Sequence, residues 1–569
     1  MPSLNVDPRG AGVFIASWFT GGPPSGWLDA MSIELPGSSR RAVLRGGLAC
    51  AGAVLGTSLV STTLAGCAAD APPQGSALVT GRRPGQAGTR PGSVFTLGVA
   101  SGDPTPDGMV LWTRLARDPA HEDGLGGMPS GTLDVHWELA ADPHLRQVLR
   151  RGTARTGAEL GWSVHVEPAG LAAGREYWYR FRVGGELSPV GRTLTTPAVP
   201  ELRPLSLCFV SCARYDQGLF TAYRRLAEDR PDLVLHLGDY SYEYTTDTTS
   251  LRQLTGGVEL TLADYRRRYA QYHADPDLAA AHAAAPWIVV FDDHEVENNW
   301  ADMIPEHPPE PGFPARRAAA FRAYYENVPL RPSARPAGVN MRLYRRLGWG
   351  GLATFHMLDT RQFRDDQPCG DQYNTDCPQR SDPARSLVGA PQEAWLLDGF
   401  ARSTARWDLI GQQVMFSQVD LTPGAGAGYN PDSWDGYPGS RERVVDGWVA
   451  ARVRNPVVLS GDVHNHWAAD VKTRFDDPAS PVVGTELVAT SIASGGDGSE
   501  QLAQTAAVLA ENPHVRFFNN RRGYVRTRIT PDTLTADFRV VPYVSRPGAP
   551  AETRASFVLE DRAAGLNRA

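Results

Sequence analysis

Residues 231–240 read P-D-L-V-L-H-L-G-D-Y. The run is of strand length, almost wholly apolar, and stops at a glycine and an acid. A continuous apolar run without polar alternation marks a strand covered on both faces, the habit of parallel sheets in α/β proteins. The same form recurs in L-S-L-C-F-V-S-C (205–212), P-W-I-V-V-F-D-D-H-E (286–295), A-T-F-H-M-L-D-T-R (353–361) and P-V-V-L-S-G-D-V-H (456–464). Between the first two lies L-F-T-A-Y-R-R-L-A-E (219–228), a helix candidate. Strand–helix–strand order with polar residues at strand C-termini is how α/β domains present their sites.

The strand ends carry a consistent chemistry. They offer Ser211 and Cys212; Asp239 and Tyr242; Asp292, Asp293, His294 and Glu295, followed by Glu297, Asn298 and Asn299; and Asp462, His464 and His466. Oxygen donors suit a hard divalent cation, whereas imidazole, thiolate and phenolate suit a first-row transition metal. A bridging carboxylate can hold two such cations about 3.5–4 Å apart, where they bind phosphate oxygens and acidify a water for in-line attack on phosphorus.

Upstream, residues 93–199 are short alternating segments separated by turns, among them T-L-D-V-H-W-E-L (132–139) and E-Y-W-Y-R-F-R-V (176–183). They predict a small fibronectin- or immunoglobulin-like β-sandwich without catalytic residues. Residues 38–45, S-S-R-R-A-V-L-R, open an Ala- and Gly-rich stretch ending in L-A-G-C at Cys67. This is a leader of the twin-arginine export type, spanning 1–67, with Met31 as the expected true start. Cys67 is either a lipidated, membrane-tethering cysteine or the neighbour of an ordinary cleavage site. Residues 68–92, rich in Pro, Gly and Ala, form a linker. A catalytic domain then covers 203–558.

The chain has a formal net charge of -7 and a pI near 6.0, so nothing suggests a basic nucleic-acid-binding surface. Cys369 and Cys377 flank a polar loop and form either a small disulfide, as suits an exported protein, or two unrelated thiols. Trp434, Tyr437 and the preceding G-A-G-A-G-Y-N-P-D (424–432) suggest a mobile loop near the site.

The strings S-C-A-R-Y-D-Q-G (211–218), H-L-G-D-Y-S-Y-E-Y (236–244), F-D-D-H-E-V-E-N-N (291–299) and L-S-G-D-V-H-N-H-W (459–467) resemble the calcineurin-like metallophosphoesterase superfamily, in particular its PhoD-type alkaline phosphatase branch. Supporting strings are Y-R-R-R-Y-A-Q-Y-H-A-D-P-D-L (265–278), L-D-T-R-Q-F-R-D-D-Q-P-C (358–369) and R-A-S-F-V-L-E (554–560). The resemblance implies two sheets flanked by helices, an α/β metallophosphoesterase, and a cofactor set of one Fe(III) and one or more Ca(II). Iron would take Cys212, Asp239, Tyr242 and His464, with Asp239 bridging to calcium. Asp293 stands where the superfamily usually has its asparagine ligand. Asp462 stands where it usually has a histidine, and an oxygen there suits calcium.

In that scheme a metal-bound hydroxide attacks and His294 serves as acid for the leaving oxygen. Asn298 or Asn299 is a further oxygen ligand or phosphate contact. Arg268 is a solvated helix-face arginine or, as the second reading, a phosphate clamp; Arg214 is a weaker clamp candidate. His466 is a support for the ligands or a surface residue. Asp359 and Arg361 either buttress the site or form a structural ion pair.

The implied function is extracytoplasmic hydrolysis of phosphate esters, small or polymeric, by a monomer. The alternatives are a dedicated phosphodiesterase on teichoic-acid-like or phospholipid substrates, and an inactive exported binding protein of the same fold.

Overall fold

The computed structural model describes residues 92–373 and 375–569. The leader, Cys67, Met31 and most of the linker lie outside the described residues. No helix among the described residues is long and apolar enough to cross a membrane.

Two mixed sheets pack on each other through one apolar core. In the first, Leu205–Val210, Leu233–His236 and Trp287–Val289 run parallel, with Val234 opposite both Cys208 and Trp287. In the second, Ala353–Met357, Trp407–Gly411, Pro456–Ser460 and Val482–Val488 run parallel. The core between them mixes Phe209, Leu235 and Val289 with Phe355, Leu409 and Leu459, all at most 1% exposed. These aliphatic runs cannot face water on either side, which explains their lack of alternation. The strand Val515–Ile529 ties the sheets together: its first part pairs with His466–Lys472 and its second with Leu205–Val210 and Thr533–Val541.

Helices cover the outer faces. Gly389–Arg402 and Pro438–Ala450 pack Leu396, Phe400, Val444 and Trp448 against Ile410 and Val458 of the second sheet. Thr221–Asp229, Leu262–His273 and Phe313–Asn327 add aromatic side chains to the first sheet's core, and Pro276–Ala284 adds Leu278 and Ala281. Thr261 and Asp264 form a reciprocal capping box at the start of Leu262–His273.

The N-terminal region is two packed β layers joined to the catalytic sheet. Val99–Thr105, Gly108–Arg114 and Ser163–Val166 form one antiparallel set, and Thr132–Ala140, Val148–Gly157 and Glu176–Val183 belong to a separate five-stranded sheet. The two enclose a core of Phe95, Leu111, Val135, Leu139, Trp162 and Phe181. The first set continues into the catalytic sheet, however, through a parallel pairing of Gly102 with Trp287. A Cβ on Gly102 would lie 2.4 Å from the Pro329 carbonyl oxygen, so only glycine permits this approach. Arg114 drives the junction further, donating to the carbonyls of Gly161 (2.8 Å) and Arg266 (2.9 Å) and to Asn327 Oδ1 (2.9 Å). The region therefore shares a sheet with the catalytic part, which an isolated immunoglobulin-like module does not.

Candidate metal centre

The parallel strands of both sheets end at one place, where an isolated parallel bridge joins Ser211 to Ser491. Glycines make the close approach possible. A Cβ on Gly238, which has φ 113°, would sit 2.4 Å from Asp292 Cβ, and one on Gly461 would sit 2.5 Å from Ser211 Oγ. The next residues turn sharply: Cys212, Asp239, Asp462 and His464 adopt left-handed φ values of 59°, 57°, 65° and 56°. For residues with a Cβ this costs on the order of 1 kcal/mol each, and such strain concentrates at functional sites. It turns three strand ends toward a common point.

Three overlapping sets of donor atoms result, each within 4.8 Å of one another: Cys212, Asp239 and His464; Asp239, Asp293 and His294; and Asp292, Asp293 and Asp462. Tyr242 joins the first set, its Oη lying 2.8 Å from Asp239 Oδ2 and 3.2 Å from His464 Nε2. Asp239 belongs to two sets. All these residues but His464 are buried, and His464 is partly so.

Electrostatics show what the cluster lacks. Burial pushes the Asp239 carboxyl well above its ordinary range, and neighbouring Asp293 and Asp292 push it further. Burial does the same to Asp462, reinforced by Asp292 and Asp432. The Cys212 thiol and Tyr242 phenol are raised by burial and then by Asp239. Burial lifts Asp292 to about 7, although Arg361 pulls it down. For Asp293 burial is overcome by Arg361 and His294, which hold it below the usual range. Burial alone would lower His294, but Asp293 and Glu243 raise it to about 9. Burial holds His464 at about 3.

So the anionic forms of this cluster lack sufficient positive charge. Asp239 Oδ1, Asp292 Oδ2, Asp293 Oδ1, Asp462 Oδ2, Asn298 Oδ1 and Asn299 Oδ1 are buried without a hydrogen-bond partner. Orphaned buried oxygens are costly unless something fills the gap. Bound cations meet both needs, so the donor set fits a metal pair.

The surrounding residues hold the donors in place. Glu295, one of the strand-end acids, acts not as a donor but as a clamp between two motifs: its carboxylate accepts from the backbone N–H groups of Tyr240 (2.7 Å), Asp239 (3.1 Å) and Asp292 (2.9 Å). Glu243 accepts from His294 Nδ1 (2.9 Å) and from the Asn298 N–H (2.9 Å). Arg361 does not pair with the Asp359 side chain through its guanidinium. It donates to Asp292 Oδ1 at 2.5 Å and, through both Nη atoms, to Asp432 at 2.8 and 2.9 Å. Asp432 and Glu243 carried no strand-end signal and were missed as site residues; only their reach in space marks them.

Several expectations are corrected. Arg268 is 1% exposed. It donates to the carbonyls of Tyr242, Tyr244 (2.8 Å) and Gly257 (3.1 Å) and pairs with Glu259 at 3.1 Å, so its fork is already filled and it cannot clamp phosphate. Arg214 lies with its guanidinium over the Tyr242 and Tyr244 rings at 5.8 and 4.7 Å and pairs with Asp216 at 3.0 Å. Asn299 donates to Asp371 at 2.5 Å and Asn298 to Glu306 at 2.5 Å, leaving each carbonyl oxygen free. His466 is fully buried, not a surface residue: its Nδ1 accepts from the Thr490 N–H (3.1 Å), and the Thr490 hydroxyl holds the His464 carbonyl (2.9 Å). Trp434 and Tyr437 are core residues rather than part of a mobile loop, and the Trp434 indole donates to Gln412. Cys369 and Cys377 are disulfide-bonded.

Comparison with known proteins agrees with this geometry. Residues 207–538 match the PhoD-like phosphatase model, and residues 82–197 match the model of the PhoD-like phosphatase N-terminal domain. Alkaline phosphatase D of Bacillus subtilis (strain 168) is 48% identical over 484 residues, covering 83% of this chain and 82% of that protein. The chain belongs to the PhoD-like phosphatase family. It is a phosphatase, a hydrolase of phosphate esters. A solved structure of PhoD superposes with a TM-score of 0.81 at 47% identity, covering 85% of this chain and 93% of that one. The family's N-terminal domain coincides with the β-rich region fused to the catalytic sheet.

Proposed function

We propose that this PhoD-like phosphatase is an exported enzyme of the alkaline phosphatase D kind, cleaving phosphomonoesters and phosphodiesters with an Fe(III)–Ca(II) centre. The observation that carries this is the pair of donor sets sharing Asp239, one with thiol, phenol and imidazole, the other with oxygens and His294. Cys212, Tyr242 and His464 suit iron; Asp293 and Asp462 suit calcium. When bound, the cations would supply Lewis-acid charge to the phosphoryl oxygens and acidify a water.

The chain's own residues do the rest. His294 keeps a proton because Asp293 and Glu243 favour its charged form, and it can give that proton to the leaving oxygen. Glu243 at Nδ1 fixes the ring so that Nε2 is the delivering atom. Arg214 places positive charge beside Tyr242 and Tyr244. Asn298 and Asn299 offer unpartnered carbonyl oxygens beside the acidic donors. Export by the twin-arginine route is supported by S-S-R-R-A-V-L-R, and a lipid anchor at Cys67 by L-A-G-C. We take the active form to be a monomer whose substrates are phosphate-ester small molecules or polymers.

The test is a visible spectrum and paired mono- and diester assays on the purified protein. A phenolate-to-iron band that disappears in Tyr242→Phe supports the ligand set. Hydrolysis undiminished in Asp239→Ala would rule the centre out.

A further inference from the structure

Arg522 is 1% exposed, yet its guanidinium forms no ion pair with a carboxylate among the described residues. Its nitrogens donate instead to Ser491 Oγ (2.6 Å), the Ser494 carbonyl and the carbonyl and side chain of Asn520 (2.5 and 2.7 Å), and Nε has no acceptor. A buried unpaired cation is expensive, so its position calls for an anion nearby. Burial weakens its hold on the proton, and Cys212 and Tyr242 are the neighbouring groups that offset this.

The link is the turn 491–494. Backbone N–H groups of Ile492 and Ala493 point at the Cys212 carbonyl (3.1 and 3.4 Å), and the Gly523 N–H holds the Ser491 carbonyl (3.0 Å). The fully buried Ser494 hydroxyl lies 2.8 Å from Tyr242 Oη and 2.9 Å from the Cys212 carbonyl oxygen. A hydroxyl has one proton for these two acceptors. As a metal ligand Tyr242 would give up its own proton and accept only. Charge-assisted hydrogen bonds are the stronger ones, so the serine proton goes to the phenolate.

We propose that Ser494, held in place by Arg522, is a positioning residue that hydrogen-bonds the Tyr242 oxygen and thereby tunes its bond to iron. The inference rests on the Tyr242 ligand role given above. Donation from Ser494 draws electron density from the phenolate, which raises the energy of phenolate-to-iron charge transfer. Arg522 adds positive charge behind the same pair and fixes the turn that aims the hydroxyl.

The test uses the full chain, freed of metal and reloaded with Fe(III) and Ca(II), as wild type, Ser494→Ala and Ser494→Thr. Visible spectra and iron per chain are recorded for each. Ser494→Ala is expected to keep its iron and move the band to longer wavelength, with Ser494→Thr restoring it. Loss of iron from Ser494→Ala but not from Ser494→Thr would equally support the hydroxyl's role. A Ser494→Ala band coincident with wild type at equal iron content overturns the inference, as do equal shifts in both variants. An iron-loaded wild type without the band refutes the Tyr242 ligand assignment itself, and the inference falls with it.

Discussion

Replacing Glu243 with glutamine removes one charge from a pair in which neither partner is more than 3% exposed. Glu243 Oε2 and His294 Nδ1 are 2.9 Å apart, and Oε1 takes the Asn298 N–H at 2.9 Å. Glutamine fits the same space and keeps one acceptor, so the fold and the 293–299 turn survive. What changes is a charge-assisted hydrogen bond, worth about 1.5–3 kcal/mol. At about 1.4 kcal/mol per factor of ten, this predicts a loss of about tenfold to a hundredfold in kcat wherever the His294 proton is needed. It is needed most when the leaving group is a poor one. The assay compares an alkyl phosphate, which departs as a basic alkoxide, with a nitrophenyl phosphate, which departs without help. Glu243→Gln should lower kcat sharply on the first and little on the second, with metal content unchanged. Equal losses on both esters would show that Glu243 supports the cluster as a whole and that His294 is not the acid.

Three further outcomes follow from the geometry. Asp239→Asn should strip both donor sets of their shared charge, lowering metal content on elemental analysis together with hydrolysis of both ester classes. Arg268→Met should leave Glu259 buried and unpaired, costing about 3–5 kcal/mol of stability in denaturant titrations, while KM stays as it was because the side chain never meets substrate. His236, buried with Tyr223 Oη at 3.0 Å, is held by burial at about 3, below its ordinary 6.5. The unfolded chain therefore takes up the proton first: the stabilising contribution is complete above pH 6.5 and drains away as pH falls toward 3. By pH 5 the loss is about 2 kcal/mol. Comparing wild type with His236→Phe at pH 7.5 and pH 5 isolates it, and an identical pH dependence in both would refute it.

Much of the site was legible because the chemistry sits at strand ends. Cys212, Asp239, Asp293, Asp462 and His464 each close or directly follow an apolar run, and the one-dimensional pattern marks them without a structure. Tyr242 is three residues beyond Asp239, a spacing that depends on the turn alone. Arg268 was misplaced for the opposite reason: in sequence, a buried arginine on a helix looks the same as a solvated one. Asp432, Arg361 and Glu295 act across about 70, 70 and 55 residues of chain, a separation that sets no local pattern.

The sequence by itself determined the parallel α/β architecture, through uniformly apolar strands, and the identity of the candidate donor residues, through the acids and histidines that end them. Tertiary structure alone decided which donor atoms come within 4.8 Å of one another, which arginine balances which acid, and that the N-terminal strands join the catalytic sheet at Gly102. Local propensity acts over a few residues. Charge compensation and close backbone approach depend on distances that exist only after the two sheets have packed.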